Sequence, residues 1–132
     1  MPDLPEFLEP DAVVFMHDQA LKEYGGTHGI KSEDLLRSAL ARAENRWHYA
    51  EVPPPDTATL AAAYAYVIAR NHPFNDANKR TGWSCCVLFL RLNGICVQVS
   101  APEAVDAMMA LASGAMEGEA FAAWLRQHFQ PQ

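Results

Sequence analysis

Apolar positions recur at helical spacing along most of the chain, so the pattern predicts helices separated by short polar breaks. From about Pro10 to Tyr24, the residues Val13, His17, Ala20 (with Leu21) and Tyr24 share one face. Pro10 suits a first helical position and Gly25-Gly26 stops the run. Ser32 is a cap for a second helix, Glu33–Glu44, with Leu35, Leu36, Ala39, Leu40 and Ala43 apolar. Asn45 to Asp56, which includes Pro53 to Pro55, reads as a loop in which Arg46, Trp47, His48 and Tyr49 form a small extended flap. Two uses of Trp47 and Tyr49 stay open: contact with a partner, or plugging the edge of the core. Asp56 caps a third, Ala-rich helix from Thr57 with Leu60, Tyr64, Val67 and Ile68 on its apolar face.

Pro73 disfavours the α conformation at His72 and should end that helix by about Asn71. A further helix then runs from about Ala77 to Asn93, with Asp76 as its expected N-cap and Gly94 as its stop. It is apolar on most sides, as a central helix surrounded by others would be. Its sparse polar positions, Arg80, Ser84 and Arg91, form one face running back towards its start. Ile95 to Val99 fits a short extended segment, and Ser100-Ala-Pro-Glu103 is a capping box opening a helix to about Ser113. A last helix is expected over about Glu119–Phe129. The sum is an all-α, compact bundle of about six helices around a buried central helix, in one domain spanning residues 1–132.

One stretch does not read as ordinary folding: Asn71-His-Pro-Phe-Asn-Asp-Ala-Asn-Lys-Arg-Thr-Gly82 sets a cluster of polar and charged residues between two apolar helices. Lys79 and Arg80 fall in the first turn of the central helix, where the free N–H groups already carry about half a positive charge. Each cation there should cost about 0.3–1 kcal/mol unless an anion is near. The second helix shows the ordinary arrangement, with Glu33 and Asp34 in its first turn. Two cations beside the N–H groups of Ala77 and Asn78 suit a polyanion such as a phosphate chain. Asp76 is placed to hold Mg²⁺ against those phosphates, and His72 has the intrinsic pKa of a base working near neutrality.

Composition sharpens this picture. The net charge is −6, which argues against a nucleic-acid or anionic-membrane surface and makes a local basic site more telling. The N-terminus shows no signal peptide, and the longest apolar run, Cys85 to Leu90, is too short to span a membrane; a cytoplasmic location is expected. Three cysteines make no disulfide framework, and Cys85 and Cys86, about 100° apart on a helix, are poor chelators. They read as buried free thiols. His17 and His128 read as packing residues, and His28 as a turn filler.

The run His72-Pro-Phe74-Asn-Asp76-Ala-Asn78-Lys79-Arg80 resembles the signature of the Fic/Doc superfamily, H-x-F-x-[D/E]-[A/G]-N-[G/K]-R. Its lysine resembles the Doc (death-on-curing) branch, the toxins of Phd–Doc toxin–antitoxin pairs. The likeness extends through Tyr24-Gly-Gly and the Leu35-to-Arg42 run to Leu88-Phe-Leu-Arg-Leu-Asn-Gly94, with Arg37 and Ala43 departing from the usual pattern. The resemblance implies a Fic/Doc-like fold and an ATP-dependent, Mg²⁺-requiring protein kinase that phosphorylates a hydroxyl of a translation factor, expected to be elongation factor Tu. His72 would act on the target hydroxyl and Asp76 would bind Mg²⁺. Ala77, Asn78, Lys79 and Arg80 would hold phosphates, while Phe74 anchors the loop. It also implies a Phd-like antitoxin that folds as a helix on the toxin. Two other readings stay open: AMP transfer of the Fic type, and a non-catalytic binding module of the same fold.

Overall fold

In the computed structural model, which describes residues 5–49 and 55–131, three helix starts are set by short polar side chains. Ser32 Oγ accepts from Leu35 N–H (3.1 Å) and opens α2, Glu33–His48. Asp56 Oδ1 accepts from Thr59 N–H (2.9 Å) and opens α3, Thr57–Asn71. Ser100 Oγ accepts from Glu103 N–H (3.3 Å), and its hydroxyl donates to the Glu103 carboxylate (2.8 Å), opening α5, Ala101–Ser113. The remaining helices are α1, Pro10–Tyr24, α4, Asn78–Leu92, and α6, Gly118–Arg126. The fold is all-α, with six helices among the described residues.

The centre is shared by α3 and α4. α3 touches α2, α4, α5 and α6, and its small residues, Ala58, Ala61, Ala62, Ala65 and Ala69, are buried. Such side chains let neighbouring backbones approach closely. Gly82 of α4 uses that closeness, since a Cβ there would lie 3.1 Å from the Ala65 carbonyl. Tyr64, Phe89, Phe121 and Leu125 fill the core around this pair. The Tyr64 hydroxyl accepts from Leu8 N–H (3.0 Å) and fixes the segment that leads into α1.

Two expectations fail at helix ends. α2 continues to His48 rather than ending at Glu44, so Arg46 to His48 are helical and no extended flap forms there. The helix is favoured because Arg46 and His48 suit its negative end and Trp47 packs against the core, whereas Tyr49 is exposed. The remainder of that expected loop, residues 50–54, lies outside the described residues. The last helix stops at Arg126, not Phe129. Phe129–Pro131 forms β2, which pairs antiparallel with β1, Ile95–Val97, with Cys96 opposite Gln130. A tertiary partner strand thus overrides helical spacing. His128 Nδ1 donates to the Trp124 carbonyl (2.8 Å) at this break, the packing role expected of it.

Candidate functional site at the start of α4

Between α3 and α4 the chain makes two left-handed turns at residues that are not glycine. His72, next after α3, has φ 51° and ψ 56°; Ala77, just before α4, has φ 62° and ψ 28°. Pro73 bars the α conformation at His72, and the outcome is left-handed rather than extended. Each such residue costs about 1–2 kcal/mol, so the surrounding structure has to hold the loop in place.

Three sets of contacts do so. Asn78 reaches back along the loop: its Oδ1 accepts from Phe74 N–H and its Nδ2 donates to the Phe74 carbonyl, both at 3.0 Å. The α1–α2 connection pairs with the loop through Lys31 N–H to the Pro73 carbonyl (2.8 Å) and Asn75 N–H to the Gly29 carbonyl (3.2 Å), with a bridge between Ile30 and Phe74. Finally, His17 of α1 is buried and lies flat on the Phe74 ring, with centroids 3.9 Å apart and planes within 7°. Its Nε2 is 2.9 Å from the Asp76 carbonyl, which can only accept, so Nε2 carries the proton. His17 is a packing residue as expected, but one that clamps the motif itself.

Asp76 does not cap α4. Its Oδ2 accepts from Thr27 N–H (3.1 Å) and its Oδ1 from Ala77 N–H (2.8 Å). The Thr27 N–H first, then the Ala77 N–H, hold its carboxyl below the ordinary carboxylate range, and the charge of Arg80 acts the same way. The left-handed turn at Ala77 displaces Asp76 from the capping position, and no side chain caps this helix. The first-turn N–H groups of Asn78, Lys79 and Arg80 therefore find no acceptor among the described residues.

Around this open end the expected residues gather, though in unequal states. His72 and Lys79 are exposed, and Lys79 makes no hydrogen bond or ion pair among the described residues. Arg80 is half-buried; its guanidinium lies 5.3 Å from the Tyr24 ring centre and donates to the Gly25 carbonyl (3.4 Å). The amide of Asn78 is committed to the loop, so what it offers a ligand is its backbone N–H. Phe74 is buried as an anchor. Thr27, Gly26 and His17 were missed as site-builders. For Gly26 and Thr27 the one sequence signal was the glycine-dense run Gly25-Gly26-Thr-His-Gly29; His17 shows only as one position on the apolar face of α1. A Cβ on Gly26 would lie 2.7 Å from Asp76 Oδ2, so only glycine lets α1's end sit against the carboxylate. Among the described residues no cluster of three or more His, Cys, Asp or Glu side chains forms a metal cage, and no helix is long and apolar enough to cross a membrane.

The profile of the Fic/DOC family fits residues 7–90. The chain belongs to the Fic/DOC family. It is similar to the protein kinase doc of Escherichia phage P1, at 33% identity over 120 residues, covering 91% of this chain and 93% of that protein. It is also similar to the toxin Doc of Mycolicibacterium smegmatis, at 36% identity over 83 residues, or 63% of this chain and 62% of that protein. These relatives place the chain on the Doc side of the Fic/DOC family, as the lysine at position 79 led one to expect.

Proposed function

We propose that the chain is a Doc-type toxin that transfers the γ-phosphoryl group of ATP to a serine or threonine hydroxyl of a translation factor, with elongation factor Tu as the first candidate. The observation that carries this reading is the uncapped start of α4, where free N–H groups stand beside Lys79 and Arg80. Phosphate oxygens satisfy those N–H groups and neutralise the two misplaced cations in one step. Lys79 supplies a point charge to a terminal phosphate, and Arg80, held over Tyr24, supplies directional donors.

The site fits Mg²⁺ only in company with a nucleotide. Asp76 is a single ionised carboxylate, each of whose oxygens already accepts one N–H, and no second acidic ligand completes a cage among the described residues. Asp76 would hold the ion, with phosphate oxygens and water as the remaining ligands, and the ion would offset charge on the phosphates. His72 is exposed at the mouth of the site and takes the proton of the attacking hydroxyl. Nothing here calls for a covalent intermediate; positioning and charge do the work. A Phd-like antitoxin is the expected inhibitor.

Incubating the purified chain with Mg-ATP and elongation factor Tu, then weighing the target intact, tests the reading. A mass increase of one phosphate that disappears with His72→Ala is the expected result. An adenylate on the target would overturn phosphoryl transfer in favour of AMP transfer. Growth inhibition that survives His72→Ala would overturn catalysis at this site altogether.

A further inference from the structure

A cavity of about 540 Å³ runs along α3, and no residue of the 72–82 loop and helix start lines it. Its floor is one stripe of α3: Thr59, Ala62, Ala63, Tyr66, Val67 and Arg70, which are helical neighbours at steps of three and four. Arg42 and Arg46 of α2 form one wall, and Glu117 and Glu119 at the start of α6 belong to the other. From Thr59 to Arg70 the helix rises about 16 Å, the length of roughly five residues of extended chain.

Three of the chain's 10 Lys and Arg residues converge here, on a protein of net charge −6. None of the three is in an ion pair among the described residues. Among the described residues the Arg46 side chain makes no hydrogen bond, the Arg42 side chain donates once to Asn71 Oδ1 (3.2 Å), and that of Arg70 donates once to the Ala112 carbonyl (3.2 Å) beside the Tyr66 ring. Most of their N–H groups therefore remain available. The two glutamates do not cancel this charge evenly. They stand at the first turn of α6, where its own free N–H groups draw on their negative charge. Arg46 and Arg70 likewise stand in the last turns of α2 and α3, so the excess of positive charge rests on three arginines facing two glutamates. A long, alanine-floored groove with spare guanidinium donors fits an extended acidic peptide, since backbone and side chains can spread along it and carboxylates can reach each arginine. A compact anion would engage one arginine and leave the rest of the length unused.

We infer that this groove docks an acidic, extended segment of the protein that is modified, next to the hydroxyl presented to His72. The link to the site is covalent and short: Arg70 lies two residues before His72, and Arg42 is bonded to Asn71, its immediate neighbour. The inference rests on the phosphotransfer reading for the identity of the partner, and on the groove alone for its chemistry.

A fluorescein-labelled peptide, Asp-Glu-Thr-Glu-Asp, titrated with the purified chain in the absence of nucleotide, tests the groove by anisotropy. Arg46→Glu should weaken binding roughly tenfold or more, and Arg46→Lys should restore part of it. Ala63→Phe, which fills the floor without changing charge, should weaken it as well. Arg37→Glu, on α2 but outside the groove, should leave it unchanged, and the Asn-Gln-Thr-Gln-Asn peptide should not bind. Circular dichroism confirms that each variant is folded. Equal loss with Arg37→Glu, no loss with Ala63→Phe, or binding of an oligouridylate that is equally tight and equally sensitive to Arg46→Glu would overturn the inference. Peptide binding without any phosphate transfer would leave the groove standing and sink the proposed reaction, so the two failures are distinguishable.

Discussion

Replacing His17 tests whether the motif loop is held from behind by α1. Two variants divide its role. His17→Phe keeps a flat ring against Phe74 but removes the Nε2 proton, leaving the Asp76 carbonyl without its 2.9 Å donor. An unsatisfied, partly buried carbonyl costs about 1–3 kcal/mol. His17→Ala removes the ring too, from a position only 2% exposed, and joins the aromatic truncations that cost about 3–5 kcal/mol. At about 4 °C per kcal/mol for a domain of this size, the expected falls in Tm are about 4–12 °C and 12–20 °C. Urea denaturation followed by far-ultraviolet circular dichroism gives the free energies. Because the lost bond ends on Asp76, Mg-ATP affinity measured by calorimetry should fall in both variants, under conditions where each is folded. If His17→Phe is within 0.5 kcal/mol of the parent, a margin typical of surface substitutions, and binds nucleotide equally well, the clamp does not exist as described.

Three further outcomes follow from other contacts. Gly26→Ala must place a methyl 2.7 Å from Asp76 Oδ2 at φ 131°, so it should destabilise the fold by about 1–3 kcal/mol and weaken Mg-ATP binding more than Gly25→Ala, whose Cβ meets nothing within 4 Å; denaturation and calorimetry decide. The Asp56 carboxyl is held at about 2, chiefly by its hydrogen bond from Arg126, so the pair's contribution is full above the unfolded carboxylate pKa and is lost as pH falls through about 2. Arg126→Met should therefore cost about 1 kcal/mol near neutrality, after allowance for solvent screening of this half-exposed pair, and the gap should close between about pH 4 and pH 2 in urea titrations. Burial pushes the Cys85 thiol up to about 12 and raises Cys86 as well, so a disulfide reagent should modify Cys96 alone in the native protein and all three thiols in denaturant.

The orientation of Asp76 decides what the proposed anion site is made of. A capping aspartate would have satisfied one of the first-turn N–H groups and placed a negative charge where the proposed phosphate would bind. Turned instead towards Thr27, the carboxylate leaves that end positive and stands beside it, where the proposed metal-binding role would need it. The left-handed turn at Ala77, which costs about 1–2 kcal/mol, is what keeps the carboxylate apart from the uncapped N–H groups.

The sequence by itself determined where the helices begin and which residues make up the candidate motif. Spacing of apolar residues, the caps Ser32, Asp56 and Ser100, and the stops at Gly25 and Gly114 act within a turn or two, so each is readable where it stands. The oddity of Lys79 and Arg80 is likewise local, because a helix dipole is felt within its own first turn. Tertiary structure alone decided which way Asp76 faces, that His17 presses on Phe74, and that Phe129 leaves a helix for a strand. Those outcomes depend on partners 49, 57 and over 30 positions away, whose pairing overrides the local preference. No periodicity along the chain encodes the distance between such residues; only the packing of α1 and its glycine turn against the loop sets it.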